Sequence, residues 1–396
     1  MLVLDELEKL MAEFGVDALF LEGISIHKPN LYFVTGFLAV DKTYYVKTLG
    51  QPAVLAATDM VCARARRLSP MRSFHSLSPL GRQAVTERLS QAELLRRTVA
   101  ELAEQLLPRN GVVGIPSDTD AQVVAHLQEG GVTTKPVDDL FLRAREVKSP
   151  KEFRAIERAS RSTEATFERV IDVIQNATVG ANRTLMHDGV PLTVGRLKRV
   201  IDHALVDNDS ENSQESIVAG GVKGADFHYL GQRLDKLQSE TPIILDIYPR
   251  RIEERYHADI TRTVVRGRVS PRLLKMFEAV DATLDTVLDS LSAYDTSAHL
   301  VDVMADAFER HGYPSFHRTP GIKEGMLHGL GHGIGLDVHE LPRLSLEPNP
   351  LRPGAVLAVE PGLYYRHIGG VRIEDNAIIT KKGARRITRL PHTYFL

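Results

Sequence analysis

The chain has 396 residues, of which 49 are basic and 51 acidic, for a formal net charge of −2. A hydrophobic fraction of 43% and a charged fraction of 25% exclude wholesale disorder, and no apolar run approaches the roughly 20 residues that span a bilayer. The balanced charge and the short basic clusters argue against a nucleic-acid partner, and the single cysteine, Cys62, excludes an intrachain disulfide.

A chain of this length predicts two domains. The N-terminal segment has early acidic residues and places Leu7, Leu10, Met11 and Phe14 at helical spacing. That pattern differs from a secretory signal peptide, which starts with basic residues. We therefore expect a cytoplasmic protein that does not associate with membranes.

The first 140 residues alternate strand-like and helical segments. Strands are predicted at DALFLEG, NLYFVTGF, TYYVKTLGQPAVLA, GVVGIPSD and GVTTKPVDDL, and helices near residues 84–107 and 118–129. This alternation predicts an α/β domain over residues 1–145. Few histidines or acidic residues lie close together in this region. This favours a scaffolding or dimerisation role for the domain.

A second domain is predicted over residues 149–396. Ser149, Pro150 and Glu152 together form the start signal of a long helix, because serine can cap it, proline suits its first turn and the acid completes a capping box. Further on, LLKMFEAVDATLDTVLDSL and SAHLVDVMADAFERHG predict amphipathic helices, and TPIILDI, ITRTVVRG, GAVLAVEPG and GGVRIEDNAIIT predict strands. Because helices and strands come in groups, the pattern indicates an α+β fold.

Each of these strands brings an acid to its end: Asp246, Asp259, Glu360 and Glu374. A charge beside buried apolar residues is expensive unless it is paired. If the four acids converge, each close pair repels by about 4 kcal/mol at an effective dielectric constant of 20. Such a cluster therefore requires counter-charge.

Residues 328–340 read HGLGHGIGLDVHE and contain His328, His332 and His339. The interspersed glycines weaken a helix, so we expect extended or looped backbone that lets main chain approach closely. The imidazoles suggest a metal, a proton transfer or hydrogen bonding. If His332 joins the four acids, two divalent cations match their charge, and oxygen ligands with one imidazole suit Mn²⁺, Co²⁺, Fe²⁺ or Zn²⁺.

These motifs resemble the metallopeptidase family of pita-bread fold that contains aminopeptidase P, prolidase and methionine aminopeptidase. The resemblance runs through SPKEFRAIERA, HYLG, ILDI, DITRT, HGLGHGIGLDVHE, VEPGLY and GVRIEDNAIIT, and spans residues 149–380. The preceding domain, with NLYFVTGF, is similar to the creatinase-type, RNase H-like domain of the X-Pro branch. The expected fold is thus this α/β domain followed by an α+β pita-bread catalytic domain.

The resemblance assigns a role to each candidate residue. It implies that the metal ligands are Asp246, Asp259, His332, Glu360 and Glu374, with Asp259 and Glu374 bridging two ions. Glu360 would also move a proton between water and the leaving amine. It further implies that His228, His328, His339 and Arg372 surround the metals and contact the substrate, with His339 stabilising the oxyanion.

The implied activity is hydrolysis of the peptide bond before proline by a hydroxide held between two metal ions. Manganese is the preferred metal, with cobalt, zinc or iron as alternatives, and a homodimer is expected. The substrate would be an X-Pro peptide, either a dipeptide, as for prolidase, or a longer peptide, as for aminopeptidase P. Two other hypotheses stay open: a non-peptide amidohydrolase or lyase on the same fold, and a non-catalytic member that binds protein or nucleic acid.

The chain departs from the family pattern between Asp246 and Asp259. The connection IYPRRIEERYHA is longer and more charged than the usual hairpin, and it lacks the glycine that commonly follows the first aspartate by two positions. The departure does not alter the ligand roles that the resemblance implies, but the family pattern does not predict the shape of this hairpin or of the substrate end of the site. Within the hairpin, His257 is expected to be an exposed turn residue.

Overall fold

The computed structural model describes residues 2–396, so Met1, the first residue of the predicted N-terminal domain, lies outside the described residues. The chain forms two compact units, one ending at Arg145 and the other comprising Glu146–Leu396. No helix within residues 2–396 has both the length and the apolar character needed to cross a membrane.

The first unit is built on a mixed six-stranded sheet with the order β4-β3-β2-β1-β5-β6. Strand β1 pairs antiparallel with β2 and parallel with β5, and the outer pairs, β3 with β4 and β5 with β6, are both parallel. Its strands are β1 (Ala18–Gly23), β2 (Thr43–Thr48), β3 (Val54–Ala57), β4 (Ser73–Ser76), β5 (Val112–Ile115) and β6 (Thr133–Pro136).

Helices cover both faces of this sheet. They are α1 (Leu2–Glu13), α2 (Pro29–Thr35), α3 (Asp59–Leu68), α4 (Ser78–Glu87), α5 (Gln91–Leu106), α6 (Ala121–Glu129) and α7 (Asp138–Glu146). Leu10 and Phe141 belong to the apolar core on one face, and Leu102 and Leu127 to the core on the other. Cys62 is buried in the first of these cores, with 2% of its surface exposed.

Three local predictions in this unit are wrong. NLYFVTGF contains a helix, α2, because Pro29 starts it and Gly36 ends it with a left-handed φ of 58°. The helix predicted over residues 84–107 is two helices, since Arg88 takes a left-handed φ of 55° and the Ser90 side chain caps α5. GVTTKPVDDL is a strand only as far as Pro136, and α7 follows.

The second unit opens with the predicted long helix. The Ser149 side chain accepts a hydrogen bond from the Glu152 amide, and the Glu152 side chain reaches back to the Ser149 amide, so the capping box is present. The helices of this unit are α8 (Pro150–Gln175), α9 (Val194–Asp207), α10 (Pro271–Ser290) and α11 (Ser297–Arg310).

Two antiparallel-rich sheets form the centre of the second unit, with the orders β11-β12-β14-β22 and β16-β15-β17-β20-β21. Helices α8 and α9 pack on the first sheet, and α10 and α11 on the second. Here β7 is Thr178–Val179, β8 Leu185–His187, β9 Val190–Pro191, β10 Ser210–Asn212, β11 Ile217–Gly220, β12 Ile243–Ile247, β13 Pro249–Arg251, β14 Ile260–Val265, β15 Gly331–Gly333, β16 Glu340–Leu344, β17 Val356–Val359, β18 Gly362–Tyr365, β19 Gly369–Arg372, β20 Asp375–Thr380, β21 Gly383–Arg386 and β22 Tyr394–Phe395.

The unusual connection between Asp246 and Asp259 extends a β-hairpin. Strand β12 pairs with β14, Ala258 donates a hydrogen bond to the Pro249 carbonyl, and an isolated bridge pairs Arg250 with His257, all in one continuous register. The prediction that His257 is exposed is wrong: only 3% of its surface is accessible, because its ring and amide contact the Gly335 carbonyl.

A buried ion pair links the two sheets beside the acids that the sequence singled out. Arg262 donates to the Asp375 carboxylate at 2.7 Å and to the Glu374 carbonyl at 2.7 Å, and both side chains of the pair are fully buried. Arg386 and His392 bind the other oxygen of Asp375, at 2.9 and 3.0 Å. The carboxylate is thus held by three partners.

His392 makes stability depend on pH. Burial disfavours its charged form, but the hydrogen bonds from its ring to Asp281 and Asp375 outweigh burial and raise its pKa to about 9. A group whose pKa is raised from 6.5 stabilises the fold fully below pH 6.5 and loses that contribution as the pH rises through 9.

We therefore expect His392→Gln to lower the unfolding free energy by at least about 1.5 kcal/mol near pH 6, the scale of a hydrogen bond to a charged group. The deficit should shrink between pH 7 and pH 10 in denaturant titrations. His367→Gln, at an exposed position, is the control and should change little. A deficit that stays constant with pH would contradict the role of charge.

Candidate metal centre

The predicted site residues come together around one cavity of about 400 Å³ in the second unit. Pockets of this size hold small molecules or short peptide segments. Its lining consists of Gln214, Ile217, Phe227, His228, Leu230, Asp246, Tyr248, Asp259, His328, Gly329, His332, Val338, His339, Glu360, Arg372 and Glu374.

The acids reach this cavity from both sheets. Asp246 lies on β12 and Asp259 precedes β14, whereas Glu360 follows β17 and Glu374 precedes β20. An isolated bridge between Thr261 and Glu374 joins the sheets at this point. The convergence is therefore fixed by main-chain pairing.

His332 lies on β15 and faces the acids. Its Nε2 atom is 3.6 Å from Asp259 Oδ2 and 4.0 Å from Glu360 Oε1. Ligand atoms of Asp259, His332 and Glu374 all lie within 4.8 Å of one another. The His332 Nδ1–H donates to the Gly333 carbonyl at 3.0 Å, which leaves Nε2 with a lone pair directed at the carboxylates.

The protonation of the acids is strongly perturbed. Burial, followed by the charges of neighbouring acids, raises the pKa values of Asp259 and Glu374 well above their usual range. Burial raises the pKa of Glu360 to about 7, although Arg372 opposes the rise. Burial lowers the pKa of His332 to about 4, so the ring is neutral at pH 7. His332 thus supplies no positive charge to the four carboxylates.

Two observations show that these residues suit metal ions. Oδ1 of Asp246 and Oδ1 of Asp259 are buried without a hydrogen-bond partner, although a buried carboxylate oxygen normally has one. Among the described residues that line the cavity, Arg372 is the one permanently charged cation, against four carboxylates. Carboxylate oxygens with one neutral imidazole are a donor set for divalent ions of the manganese-to-zinc series.

A second layer of contacts orients the cavity wall. Arg372 donates to Asp246 Oδ2 at 2.6 Å and to the Tyr364 hydroxyl at 3.0 Å. The His328 ring donates from Nδ1 to the Gly329 carbonyl at 2.7 Å, so its Nε2 accepts from the Tyr364 hydroxyl at 2.8 Å. Burial, followed by the charge of Arg372, lowers the pKa of His328 to about 3, which keeps that ring neutral.

The other predicted histidines lie on the same wall. The Phe227 ring is 4.3 Å from the ring of His228 and 5.1 Å from the ring of His328. His339 packs at 4.2 Å, edge to face, against His332. All nine predicted site residues therefore line one cavity, and their individual roles stay predictions.

Three supporting residues were not predicted from the sequence. Tyr364 links Arg372 to His328, the Thr261 hydroxyl donates to Glu374 Oε2 at 2.7 Å, and Asn376 donates to the Asp259 carbonyl at 2.6 Å. Tyr364 falls within VEPGLY and Asn376 within RIEDN, so both lie beside acids that had been noted. The site was predicted from charged residues beside apolar strands, and these hydroxyl and amide groups are uncharged.

The glycines of residues 328–340 serve close packing, as predicted, but against neighbouring protein. A Cβ atom on Gly331 would lie 2.0 Å from the Ala358 carbonyl oxygen, and one on Gly333 would lie 2.0 Å from that of Leu341. A Cβ atom on Gly335 would lie 2.4 Å from the Glu340 carboxylate. These glycines let β15 lie between β16 and β17 and so place His332.

The chain is similar in sequence to known proteins over most of its length. The sequence profile of metallopeptidase family M24 matches residues 154–381. An Xaa-Pro dipeptidase from Pyrococcus horikoshii is 26% identical over 395 residues, which cover 98% of both chains.

Solved structures share the fold. An Xaa-Pro dipeptidase from Bacillus anthracis superposes with a TM-score of 0.80 at 20% identity and covers 99% of both chains. An X-Pro aminopeptidase from Thermotoga maritima superposes with a TM-score of 0.78 at 20% identity, covering 98% of this chain and all of the other. The predicted α/β domain followed by a pita-bread α+β domain is confirmed.

The excess negative charge predicts opposite effects of one substitution with and without metal. Asp259→Asn removes a repelling charge but keeps the side-chain shape, so the metal-free variant should melt above the metal-free wild type, by about 2–4 °C per kcal/mol of repulsion relieved. Added Mn²⁺ should stabilise the wild type and leave the variant unchanged.

Thermal melts in chelator and in Mn²⁺ check this, with Asp289→Asn on the exposed face of α10 as the control that alters neither. Metal-dependent stabilisation of Asp259→Asn equal to that of the wild type would remove Asp259 from the metal site.

The Tyr364 hydroxyl should contribute measurably to the free energy of unfolding. Tyr364→Phe leaves Arg372 and the Nε2 atom of His328 each short of a buried partner, and we expect a loss of about 1–3 kcal/mol in the unfolding free energy. Tyr365→Phe is a control on the same strand, because Tyr365 is only partly buried and its ring packs against Tyr313, outside the network of Arg372 and His328. Equal losses in both variants would refute the network.

Proposed function

The chain belongs to metallopeptidase family M24, and from this premise we propose that it hydrolyses the peptide bond that precedes proline. The observation that carries the proposal is the buried, negatively charged cavity in which Asp259, His332 and Glu374 present ligand atoms to one another. The printed activities of the relatives, Xaa-Pro dipeptidase and X-Pro aminopeptidase, supply the substrate class. Residues 1–145 form the creatinase-like domain and residues 149–396 the catalytic domain of this proposal.

In this proposal five residues hold two divalent ions: Asp246, Asp259, His332, Glu360 and Glu374. Asp259 and Glu374 would each serve both ions, and manganese would be the preferred metal. When bound, such ions act as Lewis acids and lower the pKa of water toward neutrality. The four acids and the neutral His332 ring are suited to hold them, because each offers an unprotonated lone pair once the cations neutralise the cluster.

Glu360 is proposed to move the proton. Its side chain keeps 21% of its surface exposed, against 10% for Asp246 and 6% for Asp259, so it is the most open of these three carboxylates to the cavity. A carboxylate there can take a proton from water and deliver it to the amine that leaves.

The imidazole wall is proposed to contact the peptide. His339 and His228 line the cavity, and each can donate an N–H to a peptide carbonyl. Arg372 and Tyr364 hold His328 neutral in a fixed orientation, which fits a contact with the same substrate.

Proline specificity gives such an enzyme a distinct task. The X-Pro amide has no N–H, so a peptidase that needs that donor cannot bind it in the usual way. The substrate length stays undecided between dipeptides and longer peptides, and the homodimeric state and cytoplasmic location stay predictions.

The decisive test compares Ala-Pro, Ala-Pro-Ala and the matched Ala-Ala-Ala with Mn²⁺-loaded protein. We expect cleavage before proline and little cleavage of Ala-Ala-Ala. A preference for Ala-Pro would make the protein a dipeptidase, and a preference for Ala-Pro-Ala an aminopeptidase. Glu360→Gln should lower kcat by about 10²–10⁴ as loss of a proton-transfer group does. No cleavage before proline with metal bound would refute the proposal and favour a non-peptide amidohydrolase or lyase.

A further inference from the structure

We propose that Tyr248 sets an upper limit on the side chain that the first residue of the substrate can carry. This inference rests on the proposed function, because it concerns which X-Pro peptides the cavity accepts. It arises from the hairpin between Asp246 and Asp259, where the Tyr248 side chain lines the cavity.

The hairpin register places Tyr248 directly opposite Asp259. The pairs Ile247 with Ile260 and Arg250 with His257 belong to the same antiparallel register, and Tyr248 lies between them. Residues two apart on a strand share a face, so Tyr248 points to the same side as Asp246. Accordingly, both side chains line the cavity.

The ring is held in place there. Its hydroxyl donates to the Glu215 carbonyl on the far side of β12, which fixes the phenol across the edge of the cavity. Pro249, the next residue, restricts the backbone conformation of Tyr248 to extended geometry. A ring anchored at both ends excludes volume, whereas a mobile side chain would yield to a ligand.

The proposed reaction indicates which part of the peptide meets this ring. In an X-Pro peptide the carbonyl of the cleaved bond belongs to the first residue, so in the proposed function this residue lies near the proposed ligands Asp246 and Asp259. Tyr248 shares a face with Asp246 and lies opposite Asp259 in the hairpin register. The side chain of the first residue is thus close to Tyr248.

Gln214, Leu230 and Val338 also line the cavity, and Leu230 keeps 43% of its surface exposed. None of these side chains is as large and as firmly anchored as Tyr248. Removal of the ring should therefore admit side chains that the wild-type cavity rejects.

The test compares kcat/KM for Ala-Pro, Leu-Pro and Phe-Pro in the wild type, Tyr248→Ala and Tyr248→Phe. The wild type should prefer Ala-Pro, and Tyr248→Ala should raise the Phe-Pro to Ala-Pro ratio at least about tenfold, the scale on which pocket shape discriminates neighbouring side chains. Tyr248→Phe keeps the ring but loses its hydrogen bond to the Glu215 carbonyl, so its ratio should lie between those of the wild type and Tyr248→Ala.

A binding series makes the test independent of turnover. Calorimetry with the hydroxamates of alanine and phenylalanine on Mn²⁺-loaded protein should show the same size preference in the wild type and its loss in Tyr248→Ala. An unchanged ratio in both series, with Mn²⁺ still bound by the variant, would overturn the role of Tyr248. Absence of X-Pro cleavage in the wild type together with a hydroxamate preference that Tyr248→Ala abolishes would refute the proposed function and retain Tyr248 as the size limit.

Discussion

The second unit must hold four mutually repelling carboxylates in one place: Asp246, Asp259, Glu360 and Glu374. The four carboxylates share one buried cavity, and the single permanent cation among its described lining residues, Arg372, is bound to Asp246. Such repulsion favours separation of the four carboxylates. Each acid lies on a strand or directly beside one, and the backbone hydrogen bonds of the sheets hold these positions close together. Two contacts connect the two sheets beside the cavity. One is the ion pair of Arg262 with Asp375, and the other is the hydrogen bond from the Thr261 hydroxyl to Glu374.

A second buried ion pair stabilises the segment that carries His332 and His339. Lys148 and Glu340 form a buried ion pair at 2.8 Å, and Glu340 also accepts a hydrogen bond from the Asp337 amide. Loss of one partner from a buried pair costs about 3–5 kcal/mol, because the remaining charge is left unpaired. Glu340 directly follows His339, and Gly335 leaves room for its carboxylate. The turn between His332 and His339 is thereby fixed, and the neutral rings keep their orientation without taking up charge.

Much of this centre could be predicted from the sequence, because charged residues at the ends of apolar strands are costly and therefore conspicuous. The capping box at Ser149, the strands that carry the acids and the shared cavity all follow from local patterns. Tyr364, Thr261 and Asn376 could not be found in this way, since their contribution depends on contacts between distant strands.

Arg372 was predicted from the sequence, but its pairing with Asp246 alters the charge balance of the cavity. With this cation included, two divalent ions would leave the cavity with a net positive charge, whereas one ion would leave it negative. The burial of His257 and the helix at Pro29–Thr35 were missed because tertiary packing and a glycine cap outweighed the local pattern.

We propose that the buried acids hold two metal ions. An anomalous difference map from crystals of Mn²⁺-loaded protein, with metal content determined on the same preparation, would test this. Two peaks are expected in the cavity, with Asp259 and Glu374 as ligands of both and His332 as a ligand of one. A single peak, or two peaks of which neither contacts Asp259 and Glu374, would contradict this proposal.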